Sequence, residues 1–131
     1  MSTFHLQIVT PDGAFYNGDA QRLIVRAIDG DVCILPRHTE YLTAIGCGEA
    51  RVTVDGKVRK AACNGGMLNV KGDTVRLVAT TFEWAESIDA DRATKAKQIA
   101  EEKLANAKSD ADIELAKAKL TRALTRLKVK Q

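Results

Sequence analysis

The sequence predicts an all-β, antiparallel sandwich of about eight to ten strands, followed by an antiparallel hairpin of two helices. Two observations support this division. All nine glycines and both prolines precede Asp89, and the segment after it is built mainly from Ala, Lys, Glu, Leu and Arg. Apolar residues recur at every second position in the first part and at every third or fourth position in the second, which distinguishes strands from helices. We therefore expect two domains, residues 1–86 and residues 87–131.

Turn-forming residues divide the first part into short strands. The run Phe4-His5-Leu6-Gln7-Ile8-Val9 alternates apolar and polar side chains, as a half-buried strand does. Asp55-Gly56 predicts a two-residue hairpin turn, because glycine accepts the positive φ that such a turn requires. Lys71-Gly72-Asp73 predicts a second hairpin in the same way. Further corners between strands are expected at Pro11-Asp12-Gly13, Asp29-Gly30-Asp31 and Asn64-Gly65-Gly66.

The second part begins with a helix start signal at Asp89, whose carboxylate can accept backbone N–H bonds as an N-cap. Turn-forming and capping residues between Asn106 and Asp110 predict a break between two helices, and a short break makes them antiparallel neighbours. An alanine-rich stripe lets the helices approach closely but buries little area, so the hairpin is expected to be marginally stable unless it is docked. The stripe residues are Ala93, Ala96, Ala100, Leu104 and Ala107, then Ile113, Ala116, Leu120, Ala123 or Leu124, and Leu127.

The formal net charge of +3 is unevenly distributed. Residues 1–90 carry nine Lys and Arg against eleven Asp and Glu, whereas residues 91–131 carry eleven against six. A basic helical part suits nucleic acid, anionic lipid, an acidic protein surface or a phosphorylated ligand. Aromatic residues make up 5% of the chain, which offers few platforms for stacking bases and argues against a nucleic-acid partner.

Catalysis and metal binding are not indicated. His5 and His38 are far apart, and no Ser/His/Asp or Cys/His spacing suggests a nucleophile. The three cysteines lack the close spacing of a zinc site, which favours small buried thiols in a reducing compartment. No apolar run is long enough to span a bilayer, and the first residues do not resemble a signal peptide. We therefore expect a cytoplasmic, non-enzymatic protein that requires no cofactor and no metal.

Three motifs, in this order and spacing, resemble the epsilon subunit of bacterial F-type ATP synthases. The family patterns are GDxGILPGHxPLLTAL, GGFLEV and IDxxRA, and the matching segments here are residues 29–45, 65–70 and 88–93. The resemblance covers the whole chain. Cys33 and Arg37 replace glycines of the family pattern and Glu40 replaces a frequent proline, so the loop is expected to be locally altered.

The resemblance implies a rotor subunit of the central stalk. The sandwich would bind the gamma subunit and the ring of c subunits, and would couple ion translocation to ATP synthesis. The helical hairpin would extend toward the alpha/beta catalytic head and inhibit ATP hydrolysis, and ATP bound to the folded hairpin would favour the non-inhibitory state. Membrane association would be peripheral, through these partners, at the cytoplasmic face of the bacterial plasma membrane. The alternative that keeps the ATP site is a free-standing ATP sensor with no motor partner.

The resemblance also assigns candidate residues. Arg122 and Arg126 project from one helix face; they are either a solvated basic face or a phosphate clamp. One family arginine is replaced by Ile99, and Lys95 or Lys103 is expected to compensate only in part. The residues implied for regulatory ATP are Glu83, Asp89, Arg92, Arg122 and Arg126. The residues implied for the c-ring and gamma interface are Asp31, Arg37, His38, Glu40 and Leu42. The alternative interpretation of this segment is a solvated surface loop.

Overall fold

The computed structural model describes residues 2–131, so only Met1 of the first predicted domain lies outside it. Over these residues the chain forms eight strands, a short 3-10 helix and two α-helices. The strands are β1 (Phe4–Thr10), β2 (Gly13–Ala20), β3 (Arg22–Ala27), β4 (Gly30–Ile34), β5 (Tyr41–Ala44), β6 (Cys47–Val54), β7 (Lys57–Lys71) and β8 (Thr74–Trp84). The helices are the 3-10 turn Ala85–Ser87, α1 (Ala90–Ala105) and α2 (Asp110–Lys130).

The strands hydrogen-bond in the order β2-β1-β8-β7-β6-β3-β4, with β5 pairing on β7. The predicted antiparallel sandwich is confirmed, with one difference: β1 and β8 are parallel, His5 lying opposite Thr74 and Val9 opposite Val78. Parallel neighbours need a long connection, which here is the chain from β2 to β7. Both predicted hairpins are present, because Asp55-Gly56 joins β6 to β7 and Gly72-Asp73 joins β7 to β8.

The predicted corner at Asn64-Gly65-Gly66 is a bend inside one strand and not a break between two. β7 pairs with β6 before the two glycines and with β5 after them. β8 pairs with β7 both before and after the glycines. Gly65 and Gly66 have φ of +69° and +109°. A Cβ at Gly66 would overlap the carbonyl oxygen of Val78, so the close approach of β8 requires glycine. The bend therefore carries β7 from one layer of the sandwich into the other.

The core lies between the two layers and comes from the strands, except for Ile45 in the short link between β5 and β6. Strands from both layers contribute to a cluster of nineteen buried residues that runs from Phe4 to Trp84. Its largest fully buried side chains include those of Leu6, Ile8, Leu23, Leu68 and Leu77. At about 25 cal/mol per Å² of apolar area, this cluster supplies most of the hydrophobic stabilisation of the chain.

The helical hairpin has the predicted start and break. The Asp89 carboxylate accepts from the backbone N–H of Arg92 at 3.1 Å, and Ser109 caps α2 by accepting from the N–H of Asp112 at 3.2 Å. Ala93, Ala100 and Ala116 are buried as predicted, and Ala123, not Leu124, faces inward. The helices therefore pack mainly through alanine.

The hairpin docks on the sandwich through the outer sides of β6 and β7 and the 3-10 turn. Val129 near the end of α2 forms a small buried cluster with Ala62 and Ile88. The Sγ of Cys47 lies 3.6 Å from the Oγ1 of Thr125, and Lys130 Nζ donates to the carbonyl oxygen of Ala85 at 3.1 Å. These contacts are far fewer than those of the sandwich core. Within residues 2–131, no helix combines the length and the apolar character needed to cross a membrane.

Candidate functional site

A cleft of about 410 Å³ lies where the hairpin meets the sandwich. β8 contributes Glu83, the linker after the 3-10 turn contributes Asp89, the first turn of α1 contributes Arg92, and α2 contributes Arg126. The remaining lining residues are Ser87, Ile88, Ala93 and Ala96. The fold thus brings together four of the five residues assigned to ATP, and the volume is in the range of small-molecule sites.

Arg126 is held in this cleft by an ion pair across the domain junction. Its Nε donates to Glu83 Oε1 at 2.6 Å, and about a third of each side chain is exposed. Solvent screens a pair of this exposure, so it contributes about 1 kcal/mol or less. An anion with more negative charge than one carboxylate can therefore replace Glu83 as the partner of Arg126 at a small cost in free energy.

Arg122 lies in an adjoining groove between α1 and α2 and not in the cleft itself. The groove has a volume of about 320 Å³ and shares the lining residues Ala96 and Arg126 with the cleft, so the two spaces lie side by side. Ile99, the residue that replaces a family arginine, is 53% exposed and lines the same groove.

The charges of the two spaces differ. The cleft is lined by two carboxylates, Glu83 and Asp89, and by two guanidinium groups. The groove is lined by cationic and apolar side chains and by no carboxylate: Ala96, Ile99, Ala100, Lys103, Lys119, Arg122 and Arg126. The groove therefore carries the greater excess of positive charge, whereas the cleft offers both guanidinium donors and carboxylate acceptors.

The residues assigned to the c-ring and gamma interface are divided between two places. Arg37, His38 and Glu40 lie in the loop between β4 and β5, and the exposed Leu42 follows on β5. Arg37 has φ of +64°, the conformation that the family glycine would adopt without strain. His38 Nδ1 lies 2.7 Å from the carbonyl oxygen of the adjacent Thr39.

Asp31 does not join that loop. Its carboxylate lies 3.4 Å from Nη1 of Arg26, and it lines a groove under α2 together with Thr125 and Lys128. Asp31 therefore faces the docked hairpin.

Sequence reasoning missed several residues of these surfaces. Ser87 and Ile88 line the cleft, and no feature of the sequence indicates that Ser87 belongs to a site. The contact between Cys47 and Thr125 joins positions 78 residues apart, which no local pattern reveals. The expectation of buried thiols holds for Cys63 but not for Cys33, which is exposed, and Cys47 is half-buried.

Comparison with known proteins agrees with this architecture. Residues 3–85 match the family model described as ATP synthase, Delta/Epsilon chain, beta-sandwich domain, and residues 86–131 match the long alpha-helix domain of the same chain. The chain belongs to the epsilon-subunit family of ATP synthases. The resemblance read from the three sequence motifs is thereby confirmed.

Relatives in this family match along nearly their whole length. The ATP synthase epsilon chain of Bacillus velezensis is 43% identical over 129 residues, which cover 98% of each chain. That of Caldanaerobacter subterraneus is 41% identical over 97% of this chain and 93% of its own.

Solved structures of ATP synthases share the fold. A chain in the Euglena gracilis mitochondrial ATP synthase (OSCP/F1/c-ring) aligns with a TM-score of 0.84 and 18% identity, over 95% of this chain and 79% of its own. A chain in the central stalk/c-ring of the Tetrahymena thermophila mitochondrial ATP synthase aligns with a TM-score of 0.71 and 15% identity, over 97% of this chain and 96% of its own.

Proposed function

We propose that this epsilon subunit is part of the central stalk and turns with the rotor, linking ion translocation to ATP synthesis. The sandwich binds the gamma subunit and the c ring, and the β4–β5 loop with Arg37, His38 and Glu40 contacts the ring. Membership of the family and the stalk and c-ring context of the structural neighbours support this role. The subunit then reaches the cytoplasmic face of the bacterial plasma membrane only through its partners.

The hairpin is the regulatory part of the proposed function. Its docking surface is thin, because one buried cluster around Val129, one ion pair and a few polar contacts hold it to the sandwich. This is the observation that carries the proposal: an element with so little buried area can undock without unfolding the sandwich. Once undocked, the basic helices extend toward the alpha/beta head and inhibit ATP hydrolysis.

ATP stabilises the docked hairpin in this proposal. The residues proposed to bind ATP come from β8, from the linker and from both helices. ATP therefore connects all the parts that separate when the hairpin extends. A ligand that binds only the docked state shifts the equilibrium toward it by mass action. The phosphates lie against Arg92, Arg122 and Arg126, since guanidinium groups match phosphate oxygens.

Locking the hairpin tests its regulatory role. Cys47 and Thr125 are close enough for the change Thr125→Cys to allow a disulfide between β6 and α2. In a Cys33→Ser background, the oxidised synthase should lose epsilon-dependent inhibition of ATP hydrolysis, and a reductant should restore it. Thr121→Cys, at an exposed position one turn earlier on α2, is the matched control and should show no redox effect.

Three results would contradict the proposal. The first is full inhibition by the oxidised, cross-linked subunit, since docking would then not oppose inhibition. The second is failure of the chain to co-purify with the synthase, which favours a free-standing ATP sensor. Salt-sensitive retention on DNA without association with gamma favours the nucleic-acid alternative.

Titration of the full chain with ATP tests the nucleotide site. Arg92→Gln and Arg126→Gln should each weaken binding by about tenfold or more in calorimetry, because each removes a charge-assisted contact. Lys128→Gln on the same helix, outside the cleft and the groove, should bind as the unaltered chain does. An amide spectrum that ATP leaves unchanged would exclude the site.

A further inference from the structure

The outer side of β6 places a carboxylate beneath α2. Cys47, Glu49 and Arg51 lie on the side of β6 that faces away from the sandwich core, because side chains alternate along a strand. They line a groove of about 360 Å³, together with Thr125 and Lys128 of α2. The Glu49 side chain is 9% exposed, whereas the carboxylates of the other ion pairs among residues 2–131 are 36% to 74% exposed.

The ion-pair partner of Glu49 belongs to the same strand. Its Oε1 accepts from Nε of Arg51 at 2.5 Å, and half of the Arg51 side chain is exposed. Lys128 is the cation that α2 adds to the groove, but no ion pair among residues 2–131 includes it. The hydrogen bonds that join α2 to the described sandwich do not reach Glu49 either. Docking of α2 therefore removes water from this carboxylate and supplies no donor in exchange.

Covering an ion pair in this way opposes docking. The attraction between Glu49 and Arg51 is present whether α2 is docked or not, whereas the loss of hydration occurs only when α2 covers the carboxylate. The contact between Arg126 and Glu83 is different, because its two partners come from α2 and β8 and meet only in the docked state. Apolar side chains of similar volume at positions 49 and 51 would favour docking, since covering them releases water without this penalty.

We propose that the Glu49–Arg51 ion pair destabilises the docked hairpin and thereby keeps α2 close to its point of release. Undocking returns water to the carboxylate, so the pair favours the undocked state. The cluster around Val129 and the contact of Arg126 with Glu83 favour the docked state. The balance sets the fraction of subunits whose hairpin is free to inhibit ATP hydrolysis, a step that rests on the regulatory function proposed above.

Native-state hydrogen exchange in the full chain tests this role. Glu49→Met combined with Arg51→Met removes both charges at similar volume and should raise the protection of the α2 amides about fivefold. Arg51→Met alone leaves the carboxylate covered and unpaired, and should lower that protection about fivefold or more. Arg26→Met with Asp31→Met is the matched control, because this pair lines the same groove but is 53% and 64% exposed. It should leave α2 protection within about twofold of the unaltered chain.

A second double variant covers the case in which methionines on β6 disturb folding. Glu49→Gln with Arg51→Gln removes both charges but keeps the strand polar. It should raise α2 protection about twofold, since neutral amides lose less hydration on docking than ions do. Unchanged or reduced α2 protection in both double variants would overturn the proposed role, because the ion pair would then be neutral or would stabilise docking.

ATP hydrolysis by synthase that carries the double variants separates this role from the regulatory function. If α2 is better protected and epsilon-dependent inhibition is weaker, both proposals are supported. If α2 is better protected and inhibition is unaltered, the role of the ion pair stands and the regulatory function is contradicted. If the double variants leave α2 protection unchanged while the disulfide at Cys47 still relieves inhibition, the regulatory function stands and the role of the ion pair is overturned.

Discussion

At the residue scale, Cys63 has an ionisation set by its position in the core. Burial raises the pKa of its thiol to about 12 from the ordinary value of 9.0, and Cys47 adds a smaller effect. The folded protein thus retains a proton that the unfolded chain releases, so stability present below pH 9 is lost as the pH rises toward 12. The loss for three pH units is about 4 kcal/mol.

Chemical denaturation at a series of alkaline pH values measures this effect. Cys63→Ala should show a shallower fall of the free energy of unfolding between pH 9 and 12 than the unaltered chain. Cys33→Ala, at an exposed thiol, is the control and should retain the original slope. Equal slopes for all three proteins would show that Cys63 ionises normally in the fold.

Ile99 is the second position where one residue determines a property. We expect Ile99→Arg to tighten ATP binding by about tenfold, because it adds a cation to the groove that holds Arg122 and Lys103. Without ATP the same change adds repulsion, so the melting temperature of the hairpin should fall slightly and recover on ligand addition. Ile99→Gln is the control, because it adds a polar side chain at the same position without adding a charge. An equal affinity gain in both variants would contradict the electrostatic explanation.

At the element scale, Val129 determines how firmly α2 is docked. Its side chain is 1% exposed and packs with Ala62 and Ile88, whereas the other buried residues of α1 and α2 are all alanines. Val129→Ala removes two buried methyl groups, which is worth about 1.5 kcal/mol. Because the docking surface is small, this loss should accelerate opening of the hairpin.

Native-state hydrogen exchange measures that opening. Amides of α2 should lose protection by about tenfold in Val129→Ala, while those of β7 and β8 keep theirs. Leu124→Ala, at a position 44% exposed on the same helix, is the control. A uniform loss of protection through strands and helices would mean that the hairpin and the sandwich unfold as one unit.

At the scale of the whole molecule, the sandwich is expected to fold without the hairpin. All nineteen members of its core cluster lie between Phe4 and Trp84, and the Trp84 ring is covered by Arg59, whose guanidinium carbon is 3.7 Å from the ring centroid. Arg59 also pairs with Glu86 at 2.7 Å, so this contact survives in a chain that ends at Ser87. Such a chain loses Arg126 and the Val129 cluster.

Amide spectra and assembly assays test that independence. The chain ending at Ser87 should give a dispersed β-sheet spectrum with shifts changed mainly on β6 and β7, where α2 docks. It should still bind gamma and support coupled synthesis, and hydrolysis should no longer be inhibited. An unfolded spectrum, or loss of gamma binding by a folded sandwich, would contradict the two-part organisation.

Features determined by local chemistry were predictable from the sequence. Asp55-Gly56 forms its hairpin and Asp89 caps α1, because each depends only on residues within a few positions. The break between the helices follows from turn and capping residues for the same reason. The clustering of Glu83 and Asp89 with the arginines came from the resemblance to a family, and the fold brings four of these five residues into one cleft.

Long-range packing determined the rest. The parallel pairing of β1 with β8, the bend of β7 at Gly65-Gly66 and the contact of Cys47 with Thr125 all join segments distant in sequence. No local preference distinguishes these arrangements, since the same strands could pair in other orders. The sequence by itself therefore determined the elements and the family. Only the tertiary structure decided that Lys103 and Lys119 line one groove between α1 and α2, because this depends on how the alanine-lined helices pack against each other.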